Sequence, residues 1–175
     1  LRGERGDYEG ALAAADRATE IDPENTTAQM RRAEALLEIA VRGNQPERID
    51  EARKVVEETV AAKPSNAEAH FVHGKIRIHD GEIEAAAQSL RTAIDVRPDW
   101  PEAHYLLGSV LMMSGERTAA RTEFARTLDL DANRLEARAA LARVHAALGE
   151  HEYAVEEGRR YLQSRPDGVE TRIVV

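Results

Sequence analysis

Between Asp99 and Arg134 the apolar positions follow the pattern of two amphipathic helices separated by a tight turn. His104, Leu107 and Leu111 recur at spacings of three and four, which puts them on one face of a helix starting at Pro101. Proline suits an early helical position, where its missing N–H has no intrahelical acceptor to lose. Gly115 is the expected stop, because glycine tolerates the left-handed conformation that ends many helices. A second helix follows from about Arg117, with Ala120, Phe124, Thr127 and Leu128 on one face. The two stripes cover each other as a hairpin and leave a flank that a neighbouring hairpin must close.

The same pattern returns along the chain. A capping side chain with a glutamate three residues later recurs as Ser65 with Glu68, Asp99 with Glu102, Asn133 with Glu136 and Asp167 with Glu170, in steps of 34 residues. Such a pair reads as a capping box, which satisfies free N–H groups of the first helical turn. The glycine between helices recurs as Gly81, Gly115 and Gly149, with Gly6 as an earlier instance. Small residues return as Gly74, Gly108 and Ala142, where the helices of a hairpin should approach most closely. Ala52, Ala86, Ala120 and Ala154 mark the matching contact on the second helices, and prolines follow those helices at Pro23, Pro64, Pro98 and Pro166. The pattern predicts helices near 7–21, 26–41, 47–61, 67–79, 82–95, 101–113, 117–130, 135–148 and 151–163, with no strand pairing among them.

With Leu107-Gly108, Ala120 and Phe124 at these spacings, the chain resembles the tetratricopeptide repeat family of 34-residue helix–turn–helix units. The resemblance covers nearly the whole sequence and implies one all-α, right-handed superhelical solenoid. Its parts are a half repeat at 1–25, repeats at 26–66, 67–100, 101–134 and 135–168, and a partial helix at 169–175. A chain opening within a unit and without Met reads as a fragment or a processed product. The partial helix is expected to dock on the preceding unit, since Ile173, Val174 and Val175 would otherwise be exposed. Two departures stand out. Gln29, His70, His104 and Arg138 occupy a place where the family often has an aromatic, and Gly158 replaces the large residue represented by Phe124. The last unit is therefore expected to pack more loosely.

The unit from Thr26 to Asn66 is seven residues longer than the others. Shared between two helices, seven residues add about one turn to each, since a turn takes about 3.6. A taller hairpin with a short turn around Gly43 and Pro46 is expected, not a loop.

In this family the first helices of successive units line a concave surface, and the resemblance implies which residues face it. One column is Met30, Phe71, Tyr105, Ala139 and Ile173; a second is Leu37, Ile78, Met112 and Ala146. Beside them run Glu38, His79, Met113 and Ala147, and between them Glu34, Lys75, Ser109 and Arg143. The implied groove is apolar in its middle, at Phe71, Ile78, Tyr105, Met112 and Met113. Lys75 and Arg143 would favour acidic residues of a partner. Methionines adapt to varied surfaces and aromatics make good anchors. A groove for an amphipathic helix or an extended peptide is one reading; burial of the same residues by neighbouring helices is the other. The lysines, arginines and asparagines with which some family members clamp a carboxylate are missing from these columns.

Composition narrows the function further. A net charge of −8 argues against nucleic acid, whose phosphates need a basic stripe. No stretch reaches membrane-spanning length, so no membrane insertion is expected. The absence of cysteine removes disulfides, thiolate catalysis and cysteine zinc sites. His70 and His73 share a helical face with His79 two turns on, but the register turns the first two toward the helix partner, and no third ligand is placed by the pattern. Neither a metal nor a cofactor is implied. No phosphate loop and no catalytic constellation is present, so a non-enzymatic scaffold for a protein or peptide partner is expected. Two other readings stay open. One is homo-oligomeric assembly through the solenoid ends; the other is a targeting segment of an enzyme whose catalytic domain lies outside these residues.

Overall fold

The computed structural model describes residues 7–43 and 45–164. Among the described residues there are nine α-helices and no strand: α1 (Tyr8–Ile21), α2 (Thr26–Gly43), α3 (Pro46–Ala62), α4 (Ala67–His79), α5 (Ile83–Val96), α6 (Pro101–Met113), α7 (Arg117–Leu130), α8 (Leu135–Ala147) and α9 (His151–Gln163). The expected boundaries hold to within two residues. Packing divides the chain into two compact units, Leu1–Pro98 with α1–α5 and Asp99–Val175 with α6–α9. Gly6, the Asp167–Glu170 cap and the partial helix at 169–175 lie outside the described residues.

In the first unit, α2 pairs with α3 and α4 with α5 as antiparallel neighbours, and α1 packs on α2. In the second unit the pairs are α6 with α7 and α8 with α9. The turn after each of α4, α6 and α8 is set by a glycine with positive φ: Gly81 at 78°, Gly115 at 83° and Gly149 at 77°. The residue after each glycine donates its N–H back to the helix, from Glu82 to Arg77 O, from Glu116 to Leu111 O and from Glu150 to His145 O, at 2.8–2.9 Å. This is the hydrogen-bond signature of a glycine-terminated helix.

Within a hairpin the helices meet at the expected small residues. A Cβ on Gly74 would lie 2.8 Å from the Leu90 side chain, and one on Gly108 would lie 2.8 Å from the Phe124 ring. Ala52, Ala86 and Ala120 are completely buried on the facing helices. The taller hairpin is present too. Helices α2 and α3 have 18 and 17 residues against 13 or 14 in each of the others, and only residues 44 and 45 separate them.

The capping boxes need correction. The residue that caps α4 is Asn66, not Ser65, and its side chain accepts the N–H of Ala69 at 2.9 Å. Asn25 does the same for Ala28 at 3.0 Å. The residues preceding α6 and α8 are Trp100 and Arg134, which make no side-chain cap, so Asp99 and Asn133 sit one residue too early. The glutamates are used otherwise. Glu102 accepts from Arg134 Nη1 at 2.7 Å, and Glu68 from Arg97 Nη2 at 3.5 Å. Each of these carboxylates thus binds the arginine that follows its own hairpin, which ties the hairpin's open end.

The non-aromatic column also has a specific role. Gln29 Nε2 donates to Pro23 O at 2.7 Å, and Arg138 Nη2 to Ala132 O at 2.8 Å. His70 Nε2 lies 2.8 Å from Pro64 O, so that nitrogen carries the proton, because a carbonyl can only accept. These side chains replace an aromatic with a bond to the carbonyl six residues earlier, in the loop leading into the helix.

The last hairpin packs differently. Within α9 only Glu157 is buried, held by Arg138 Nη1 at 3.0 Å and Arg160 Nη1 at 2.8 Å. Gly158 takes the place of Phe124, and a Cβ there would meet nothing within 4 Å. Opposite signs are therefore expected for one change at two glycines. Gly108→Ala forces the Phe124 ring aside and should destabilise by about 1 kcal/mol after the gain in helix propensity is offset. Gly158→Ala should stabilise by about 0.5–1 kcal/mol. Urea unfolding of the two variants measures both.

Candidate partner-binding face

The expected groove residues fall into different environments. In the first unit Met30 and Leu37 are 2% and 3% exposed, so they are core residues and are removed from the contact face. The reason is that α2 is covered by both α3 and α4, which leaves its apolar stripe inside. Phe71 is 9% exposed and belongs with them, while Ile78 is half-buried. Lys75 is not a free cation: its Nζ lies 3.3 Å from Glu38 and 3.7 Å from Glu34. Glu34 also pairs with Arg31 at 3.1 Å. That part of the face is a closed charge cluster that links α2 to α4.

The second unit is more open. The Tyr105 ring on α6 lies 5.7 Å from the Phe124 ring, and the Arg134 guanidinium stacks on it at 5.4 Å. The aromatic is thus contacted from two sides and half-buried, with part of its surface free. Met112 is half-buried, and Met113, at the end of α6, is 61% exposed. On α8 Arg143 is exposed and makes no ion pair among the described residues. Between these helices and α9 lies an open hollow of about 500 Å³, lined by Tyr105, Ala139, Ala142, Arg143, Gly158 and Tyr161, with Glu136 at its edge. Gly158, Ala142 and Tyr161 were not among the expected contact residues. The signal for them was present: the one repeat without a large residue at the Phe124 position must leave space there.

The histidines do not converge. His70 is committed to Pro64 O, and His79 Nδ1 lies 3.3 Å from Asp80. Among the described residues no group of three or more His, Asp or Glu side chains is arranged to hold a metal ion. No helix among them is long and apolar enough to cross a membrane.

Comparison with known proteins gives a consistent result. A family model described as "Tetratricopeptide repeat" matches residues 1–39 and 105–169, and a second, described as "TPR repeat", matches residues 74–115. No curated protein matches the chain. Among solved structures, the crystal structure of MamA is 22% identical over 91% of this chain and 90% of its own, with a TM-score of 0.73. TTC0263, a thermophilic TPR protein of Thermus thermophilus, is 23% identical over 91% and 84%, with a TM-score of 0.72. MamA from Desulfovibrio magneticus RS-1 is 18% identical over 91% and 86%, with a TM-score of 0.70. At these identities the likeness establishes the fold, an all-α solenoid of helix hairpins.

One histidine on α4 gives the first unit a measurable pH response. Burial holds the His73 imidazole below its ordinary pKa of 6.5, Arg77 adds to the effect, and Glu57 opposes it. Because the folded-state value is depressed, the unfolded chain takes up the proton first as pH falls. The stability this group contributes is complete above 6.5 and is lost as pH falls toward the folded value. His73→Gln should therefore flatten the dependence of Tm on pH between about 6.5 and 5. Thermal melts across that range check the slope.

Proposed function

This chain belongs to the tetratricopeptide repeat family of protein-interaction scaffolds, and we propose that a protein partner docks on the first-helix face of its second unit, at α6 and α8. The observation that carries this reading is the hollow that joins Tyr105 to the unpaired Arg143, together with the exposure of Met113 at the far end of α6. An amphipathic helix or an extended peptide with an apolar anchor suits the hollow, and an acidic residue near that anchor suits Arg143. A methionine in such a place accepts varied side chains, and a tyrosine gives contact area at little entropic cost.

The residues of the first unit have a different share in this reading. Phe71, with Met30 and Leu37, supports the fold, so Phe71→Ala should lower stability by about 3 kcal/mol or more by cavity formation, and any effect on binding would follow from that. Met113→Glu is the cleaner probe, because the side chain is largely in water and its change removes no core contact, so that only the small cost of a carboxylate at the end of α6 falls on stability. Affinity capture with the parent chain and with Met113→Glu, followed by titration of the captured protein, tests the proposal. Loss of about 2 kcal/mol, or roughly thirtyfold in Kd, is expected for Met113→Glu and a comparable loss for Tyr105→Ala. Exposed Arg91→Ala, on a second helix, should change little. Equal affinity for the parent and Met113→Glu chains would move the binding face elsewhere.

A further inference from the structure

The last hairpin lacks a side chain that the hairpin before it has. Between α6 and α7 the Phe124 ring lies over Gly108, where an added Cβ would come within 2.8 Å of it, and 5.7 Å from the Tyr105 ring. Phe124 is 2% exposed, so it fills that space. One repeat later the three positions are Gly158, Ala142 and Ala139. Two rings are lost there and one is gained, because Thr127 becomes Tyr161. The gained ring does not close the gap. Nothing lies within 4 Å of an added Cβ at Gly158, and Tyr161 stands in the wall of the hollow of about 500 Å³.

Helix interfaces are close-packed, and a vacancy in one forfeits dispersion contacts on every wall. This vacancy is open to solvent, so a side chain from another molecule can enter it. The preceding hairpin shows what such a space holds, since a phenyl ring occupies the equivalent place there. The walls agree with a ring. Tyr105 and Tyr161 are aromatic, Ala139 and Ala142 leave short apolar surface, and Gly158 has no side chain to stand in the way. Aromatic pairs attract beyond the area they bury. Glu136 and Arg143 also line the hollow, two turns and so about 10 Å apart along α8, and neither has an ion pair among the described residues.

We propose that the partner supplies the missing ring: a phenylalanine side chain inserts beside Gly158, against Ala142 and Tyr105, in the place that Phe124 takes one hairpin earlier. An acidic residue of the partner lies on the Arg143 side of that ring and a basic one on the Glu136 side. This rests on the docking face proposed above and names its anchor. Gly158 is then a specificity-determining residue, because any large side chain there would occupy the seat from within.

The test begins with a small probe, N-acetyl-phenylalaninamide, titrated into the isotope-labelled chain with N-acetyl-alaninamide as its control. Amide shifts at Ala139, Ala142 and Gly158 that saturate at about 1–10 mM are expected from the phenylalanine probe alone. Gly158→Phe supplies the ring from within, so the Ala139 and Ala142 shifts should vanish while the urea midpoint is no lower than the parent's. Gly158→Leu, a smaller filler, gives the same comparison if the phenylalanine variant fails to fold. The protein captured by the parent chain should bind the filled variant at least about tenfold more weakly. A probe that leaves the three amides unshifted, or shifts Ala139 and Ala142 equally in the filled variant, overturns the proposal. So does a captured protein that loses affinity for Met113→Glu yet binds the filled variant as tightly as the parent, and the docking face then stands without the ring. Indifference to both substitutions removes the docking face and the proposal together.

Discussion

Each hairpin depends on how closely its two helices approach at one level. Leu90 lies over Gly74 and Phe124 over Gly108, and neither glycine has room for a methyl group. The close approach demands a minimal residue on one helix and a large one opposite, because a gap there would forfeit the dispersion contacts of both walls. Much else follows from holding that pair in phase. The left-handed glycines at 81, 115 and 149 fix where α5, α7 and α9 start, and so which of their residues face back. The longer hairpin obeys the same constraint: its added residues amount to about two helical turns divided between α2 and α3, so the facing residues below keep their phase. An insertion of two or five residues would rotate one helix against the other and bring the wrong side chains together.

A second constraint is polar. Loops leading into first helices carry carbonyls that no helix satisfies, and a side-chain donor on the following helix can pin the loop through them. Gln29, His70 and Arg138 supply the donors, each from the first turn of the helix that the loop feeds. At Arg138 the solution extends further, because its guanidinium also holds Glu157 in the only buried position of α9. A partly buried ion pair of this kind adds little net stability over an apolar pair, but separating its members is expensive.

Helix placement was legible because period, turn glycines and prolines all agree, and agreement across levels is what specifies a fold. The cap positions were misread by one residue because Asp99 and Asn133 are good capping residues in sequence, while Pro101 and Leu135 start their helices one residue later than a cap at those sites requires. The proposed contact face was legible only as columns. A column says which side of a helix a residue occupies, but not how many other helices cover that side. Met30 and Met113 are both methionines on first helices, yet one is core and the other mostly in water. The difference comes from α1, α3 and α4 packing around α2, while Met113 sits at the very end of α6.

The energetics of the second unit's face limit what kind of partner can use it. Burying Met113, the free part of Tyr105 and one apolar anchor would yield roughly 1.5–3 kcal/mol each at best. Association costs at least about 4 kcal/mol in lost translational and rotational freedom, before any loop or side chain is ordered. The apolar contacts alone therefore leave little surplus, and a short peptide with a single anchor would bind weakly. Arg143 changes the balance in specificity more than in strength, since an exposed ion pair contributes at most about 1 kcal/mol. A tight partner must reach beyond these residues or arrive already folded, so that fewer of its own degrees of freedom are lost on contact.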